Sequence, residues 1–508
     1  MTQISRKTVR GWMAGVLLVS IAFSIPSILL SQEKPGRADV LSAMKKATRF
    51  MVDKVSNRGG YVYTYAADFS EQWGEIPARK SQIWVQPPGT PSMGETFLEA
   101  FKATGDRVFL DAAEKAANAL IYGQHPLGGW HYFIDFDPEG IEDYYEEVAS
   151  NCWGWEEYYR YYGNCTYDDD VQTGPTRFLM NLYLATLDPK YKSALDKALD
   201  FVLLSQFPNG AWPQRFPLRD GYSSHYTFND NVIFGNIDLL LEAYERLGNA
   251  GYKNAALRGM DFVRLSQLSP PQAGWCQQFS HDMRPAKARN YEPAAVEPRA
   301  TIECIQELER YYKITGEKKY LAGIPDAIAW LEASVINRDA NKTYEGRAYT
   351  HAAFYEPGTN KPIYAHRKAT RAEVDPADPN RGYWVDYEFG NFPGHYGMTA
   401  NVDIGPIKKE FERVKSSTPE DAMAEYRAGK EAAAKPAPAG AEKVRQAIAA
   451  MNGQGAWLED VFIPYYPDFR DRAKGKTIKA VRTRTYQDHM RLMIDYLNGL
   501  SVSGSSPR

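Results

Sequence analysis

Three polar clusters carry the side chains in this sequence that could do chemistry. The first is Thr166-Tyr167-Asp168-Asp169-Asp170, followed by Thr173-Gly174-Pro175-Thr176. Adjacent carboxylates with hydroxyls nearby make a hard-oxygen donor set, suited to Ca²⁺ or Mg²⁺. Acids at a helix start also favour the helix dipole, and from this cluster alone the two readings weigh equally. The second cluster is Tyr226-Thr227-Phe228-Asn229-Asp230-Asn231, where Asp230 precedes an apolar run and reads equally as an N-cap. The third, Met283 to Pro293, gathers Arg284, Lys287 and Arg289 in one loop. It is either a solvated basic patch or an anion clamp. Two carboxylate loops and a basic loop in one cleft would hold an anionic substrate through a divalent cation and guanidinium groups.

These loops need helices to place them. Gln206 to Asn231 is a polar stretch between a helix predicted over Lys190–Leu204 and another over Val232–Leu247. A long polar loop between buried helices is usually functional. Gln124-His125-Pro126-Leu127-Gly128-Gly129-Trp130 and Gln206-Phe207-Pro208-Asn209-Gly210-Ala211-Trp212 share Q-x-P-x-G-x-W after a helix. Gln267 with Gly274-Trp275 is a looser copy and Gly59-Gly60-Tyr61 a degenerate one. Such repeats predict stacked helix pairs: a mainly α fold, an incomplete α/α toroid or barrel with a cleft on one face. The Gly-x-Trp units themselves read as well as C-cap glycines packed by an indole. Another helix is expected over Asp143–Tyr162.

The chain has 508 residues, 44% of them hydrophobic, with a formal net charge of -3. That near-neutral balance gives no reason to expect nucleic acid as a partner. Tyrosine (34) and tryptophan (11) are abundant; such rings line cores, and flat rings also stack on sugars. Arg6, Lys7 and Arg10 precede an apolar run from Gly11 to Leu30, the pattern of a secretory signal. Export to the periplasm or medium is expected, with a membrane tether if the signal stays uncleaved. Cys152 and Cys165 are close enough in sequence to pair, and the cysteine spacings match no zinc pattern. Residues 1–31 are thus assigned to the signal, 38–335 to the toroid and 336–408 to a small β-containing region completing the cleft. A charged Ala/Pro-rich linker is expected over 409–440 and a C-terminal helical extension over 441–500.

Several motifs, in order, resemble the pectate lyases of polysaccharide lyase family 10. Gln206–Gln214 is nearly letter for letter the family's Gln-Tyr-Pro-Asn-Gly-Gly-Trp-Pro-Gln segment. Asp168 through Arg177 resembles its Asp-Asn-Gly-Ala-Thr loop and following arginine. Thr227–Val232 resembles Thr-Phe-Asn-Asp-Asn-Ala, and Ala288-Arg289-Asn290-Tyr291-Glu292 resembles Ala-Arg-Ala-Tyr-Glu. Phe354–Pro362 leading to Arg367, and Arg381-Gly382-Tyr383-Trp384, resemble the regions of its two late substrate arginines.

The resemblance implies an α/α toroid and Ca²⁺-assisted β-elimination of polygalacturonate, an acidic polysaccharide, by a monomeric enzyme. It puts Asp168 and Asp230 at the calcium and Arg289 at the catalytic base. Asp169, Asn229, Lys287, Tyr291, Arg367 and Arg381 become candidate substrate contacts. The chain departs from the family at Asp169, where an asparagine is usual, and at Asp170-Val171, where Gly-Ala is usual. Three rivals remain. A glycoside hydrolase on the same toroid would need two opposed carboxylates and no metal. A class II terpene cyclase-like protein shares the Q-x-x-x-G-x-W repeat but needs a D-x-D-D acid motif. A uronate-binding protein without turnover would not need the base.

Overall fold

The computed structural model describes residues 34–148, 151–152, 163–369, 373–375, 377–433, 439–468 and 471–503. The signal-like run and most of the expected Asp143–Tyr162 helix lie outside them. Among the described residues no helix is long and apolar enough to cross a membrane.

The helices are α1 (Arg37–Phe50), α2 (Thr90–Thr104), α3 (Arg107–Tyr122), α4 (Ile141–Glu147), α5 (Thr173–Thr186), α6 (Pro189–Leu204) and α7 (Val232–Leu247). Then come α8 (Ala250–Leu265), α9 (Pro298–Thr315), α10 (Ile324–Ala333), α11 (Ile404–Ser416), α12 (Pro419–Ala433), α13 (Ala441–Ala450) and α14 (Thr483–Ser503). The pairs α2–α3, α5–α6 and α7–α8 are made by one local device. Gly105, Leu187 and Gly248 end the first helix in the left-handed conformation. Asp106, Asp188 and Asn249 then cap the second by accepting from Val108 N, Lys190 N and Gly251 N. The leading helices α2, α5, α7 and α9 stand side by side and are laced by polar side chains. Asn181 donates to Glu95 at 2.9 Å, Arg177 pairs with Glu242 at 3.2 Å, and Arg310 pairs with Asp238 at 2.6 Å. The architecture is an α/α toroid whose ring is not closed.

The Q-x-P-x-G-x-W repeat is the mortar of the other row. Each indole N–H caps its own preceding helix: Trp130 donates to Leu120 O, Trp212 to Val202 O and Trp275 to Val263 O, at 2.8–2.9 Å. Each glutamine bonds its own loop and also reaches the next pair. Gln124 donates to Ala194 O, Gln206 to Ala255 O and Gln267 to Gly323 O. The glycine and indole of this device recur where the sequence reading did not find them, at Gly455-Ala456-Trp457: Trp457 donates to Ala447 O, and Gly455 abuts the carbonyl of Lys46 on α1. The C-terminal extension is therefore one more unit of the ring, with α14 packed on α2 and α1.

The close approaches make a stability prediction. Gly210 has φ +98°, and a Cβ there would sit 2.1 Å from Arg258 O, whereas Gly105 (φ +72°) has open space around it. Gly105→Ala is expected to cost about 1–2 kcal/mol from the left-handed backbone alone. Gly210→Ala adds a backbone clash and is expected to cost about 3 kcal/mol or more. Urea unfolding of the two variants checks this, and equal losses would contradict it.

Two expectations about the tail are corrected. The segment assigned to a linker over 409–440 is largely helical. Its Ala-rich, charged composition favours helix, Phe411, Val414 and Ala422 are buried, and α12 packs on α9. Lys313 joins Glu410 and Glu425 at 3.1 Å, and both acids pair with Arg413 at 2.7 Å. The extension is also not purely helical. Glu459–Ile463 and Lys476–Arg482 form an antiparallel hairpin, and the second strand pairs with Thr64–Ala66 from the other end of the chain. The β-containing region supplies strands Phe354–Tyr355, Pro362–Arg367 and Tyr383–Asp386 to a five-stranded sheet that also takes Val296–Glu297 and Trp275–Cys276. All four cysteines are buried and none forms a disulfide, so Cys152 and Cys165 are not bridged to one another.

Candidate active site

The two carboxylate loops are copies of one another. Each follows a two-residue strand (Cys165–Thr166 and Tyr226–Thr227) and precedes a leading helix, α5 or α7. In each the threonine hydroxyl accepts from the backbone two residues on, Asp168 N at 3.2 Å and Asn229 N at 3.0 Å. In each the next two residues take left-handed backbone: Asp169 (φ 46°) and Asp170 (59°), then Asp230 (48°) and Asn231 (63°). Non-glycine residues held there are strained, and such strain concentrates at functional sites. The turn aims the acids inward from both loops. One oxygen from each of Asp168, Asp169 and Asp230 lies within 4.8 Å of the others. Asp170 is not part of this trio; it accepts from Thr173 Oγ1 at 2.6 Å, in the helix-start role.

Arg289 comes to the same point from the basic loop. Its Nη2 lies 3.3 Å from Asp168 Oδ2 and 3.2 Å from Asp230 Oδ2, and its Nη1 lies 3.1 Å from Glu292 Oε1. The guanidinium is buried. Burial works against charge on Asp168, but hydrogen bonds from Asp230, Tyr132 and Gln214 and the Arg289 charge outweigh it and hold that carboxyl below its usual range. Burial and then the Asp168 charge push the Asp230 carboxyl upward. A cavity of about 460 Å³ opens beside Asp230, Arg289, Glu292 and Tyr396.

The other candidates divide. Asn229 accepts from Gln277, which also donates to Glu292 at 3.1 Å, so its amide braces the base loop. Lys287 is exposed and donates to Asn290 and to Asn380 at 3.0 and 3.1 Å, which sets the turn carrying Arg381 against the Arg289 loop. Tyr291 is buried among Tyr383, His395 and Tyr396, with centroids at 4.9–5.5 Å. It is core, not an exposed stacking platform, and the expected substrate contact is corrected to a packing role. Arg367 is buried too, and its partner is Asp468 of the C-terminal hairpin loop at 3.2 Å. Arg284 is a surface residue paired with Asp282.

Four supporting residues escaped the sequence reading. Tyr132 O–H donates to Asp168 Oδ2, and Gln214 donates to its Oδ1 at 3.1 Å. Arg215 braces Tyr132 from 3.3 Å. Gln86 donates to Asp169 at 3.0 Å and to Glu75 at 3.1 Å. Tyr132 and Gln214 each follow the tryptophan of a repeat by two positions, so both were within reach of the repeat; Gln86 carries no local signal.

Folds do not bury three acids around one arginine for stability, because desolvating the charges costs as much as their pairing returns. Strongly perturbed, strained and adjacent to a cavity, the cluster is the centre of an enzyme. Residues 149–391 match the family model described as pectic acid lyase. The matched residues carry the cluster, and the match supports a polysaccharide lyase. A mutant of the family 10 polysaccharide lyase from Cellvibrio cellulosa, solved with trigalacturonic acid, is 19% identical; the match covers 62% of this chain and 98% of that one, with a TM-score of 0.42. A second structure of the Cellvibrio cellulosa family 10 lyase is 20% identical over 54% of this chain and 84% of that one, with a TM-score of 0.38. The alpha-1,6-mannanase of Salegentibacter sp. HEL1_6 is 11% identical, with 91% and 99% covered and a TM-score of 0.35. Among curated proteins no sequence matches the chain.

Proposed function

We propose that the protein is an exported pectate lyase that cleaves polygalacturonate by Ca²⁺-assisted β-elimination, leaving a 4,5-unsaturated uronate at the new end. The observation that carries this reading is the meeting of Asp168, Asp169 and Asp230 with Arg289 at one point. The three acids fit a hard divalent cation: they are oxygen donors, they converge, and Gln214 and Gln86 fix their orientation. Bound there, calcium supplies the positive charge that neutralises a uronate carboxylate and acidifies the neighbouring C5 proton.

The protein's own groups do the rest. On this reading Arg289 receives the C5 proton, and its Nη2 lies against Asp168 and Asp230. In the structure three carboxylates surround it and favour the protonated guanidinium, so its basicity depends on those charges being balanced by substrate-side cations. Glu292 holds the guanidinium through Nη1 and also accepts from the backbone N of Arg289 at 3.0 Å, which fixes the direction of Nη2. Lys287 and Arg381, on touching loops, offer cationic heads to further uronates. The glycoside hydrolase reading fits poorly. Its two acids must flank the scissile bond, whereas Asp168 and Asp230 share one guanidinium nitrogen.

Digestion of polygalacturonate in ¹⁸O-water tests the reaction class. Elimination adds no water, so oligosaccharide products are expected to carry no label beyond background. One label per cleavage would make the enzyme a hydrolase.

A further inference from the structure

Arg367 ends a strand of the site's sheet, directly opposite Tyr383, and its guanidinium lies 6.0 Å from the centre of that ring. Tyr383 packs on Tyr291 at 5.5 Å, two residues from Arg289. Arg367 is therefore a cation built into the wall beside the catalytic loop. With its side chain 0% exposed it requires an anion. A guanidinium is shaped for a carboxylate, and the carboxylate it holds belongs to the chain itself. Asp468 Oδ1 sits 3.2 Å from Arg367 Nη2.

Asp468 arrives on the loop of the Glu459–Ile463/Lys476–Arg482 hairpin, far outside residues 149–391. The same loop reaches the opposite side of the site. Tyr466 packs against the small core of Ala66, Trp73 and Ile463, and Trp73 lies two residues from Glu75. Glu75 in turn accepts from Gln86, which donates to Asp169 of the carboxylate trio. Residues 464–468 thus run from the Asp169 side to the Arg367 side, as a strap across the wall of the cleft.

We propose that Asp468 stands in for a substrate carboxylate on Arg367, so that the strap closes one end of the cleft and limits how much of a polyuronate chain the site admits. Asp468 is then a specificity-determining residue, and the idea rests on the acidic-polysaccharide reading above. If the strap fills the Arg367 position about nine-tenths of the time, freeing that position tightens apparent affinity about tenfold.

The test is calorimetric binding of trigalacturonate, with Ca²⁺, to the full chain and to Asp468→Asn, with elimination assayed in parallel. Asp468→Asn is expected to bind about tenfold tighter, and the gain should vanish in Asp468→Asn/Arg367→Gln. Because Asp468→Asn leaves a buried guanidinium without its charge partner, Pro467→Gly is the second variant. It leaves the ion pair intact, loosens the strap, and should also tighten binding, by a few-fold. Unchanged or weaker binding in Pro467→Gly, with normal elimination, overturns the strap while leaving the lyase reading in place. Absence of both binding and elimination in every protein overturns the two together.

Discussion

Arg289→Ala is expected to lower turnover of polygalacturonate by about 10³–10⁴-fold while changing the affinity for trigalacturonate by less than about threefold. The split follows from geometry. Nη2 meets Asp168 and Asp230 of the carboxylate trio, and Arg289 lines the cavity beside them, where a proton must be received. On the proposed reading, uronate carboxylates have other cationic partners in Lys287, Arg381 and the cation, so binding survives. An equal loss of affinity and turnover would make Arg289 a clamp instead. The variant has a second signature. Without the guanidinium, buried Asp168 and Asp230 repel one another, so Ca²⁺ should raise the Tm of Arg289→Ala more than that of the native protein. Equal Ca²⁺-induced shifts would remove Arg289 from the cation site.

Removal of the cation is the second large effect. A chelator is expected to reduce elimination by at least about 10²–10³-fold, the scale for losing one preorganised charge at a developing anion, and Ca²⁺ should restore it. Asp230→Asn should mimic the chelator and resist rescue at ordinary Ca²⁺ concentrations, because one of three converging negative charges is gone. Asp168→Asn should do the same and also destabilise the fold. The buried Asp168 accepts from Tyr132, Gln214 and Arg289, and an amide nitrogen in place of either oxygen faces a donor. Full activity of Asp230→Asn in the presence of chelator would exclude a metal held by these acids.

How much of this was legible in the sequence depends on range. The helix pairs were legible because apolar spacing, left-handed turn residues and Asp or Asn caps are local. The Gln and Trp of each repeat were legible as a pattern, although their purpose, an indole on the preceding helix and an amide on the next pair, is a contact between units. The site was legible as three separate loops. Their convergence was inferred from a resemblance, and the structure gives it a physical form in the shared guanidinium. The bracing by Gln86 and Gln277 was not legible, since nothing local distinguishes a buried amide that orients a carboxylate from any other polar residue. Tyr291 became a candidate substrate contact through the resemblance of its motif, and only the tertiary fold shows it packed among Tyr383, His395 and Tyr396. The segment 409–440 misled because an Ala-rich charged run is ambiguous between a solvated linker and a helix; Phe411, Val414 and Ala422, buried in the docked helices, decide it. Arg367 read as a free substrate cation, and only the tertiary fold reveals Asp468 against it.

The central claim is elimination by Arg289 beside a cation held on Asp168, Asp169 and Asp230. The most direct test is the ultraviolet absorbance of the 4,5-unsaturated uronate when purified protein meets polygalacturonate, first with Ca²⁺ and then with a chelator. A steady rise that the chelator stops and fresh Ca²⁺ restarts is the predicted result. New reducing ends without that absorbance, or a rise indifferent to the chelator, would contradict it.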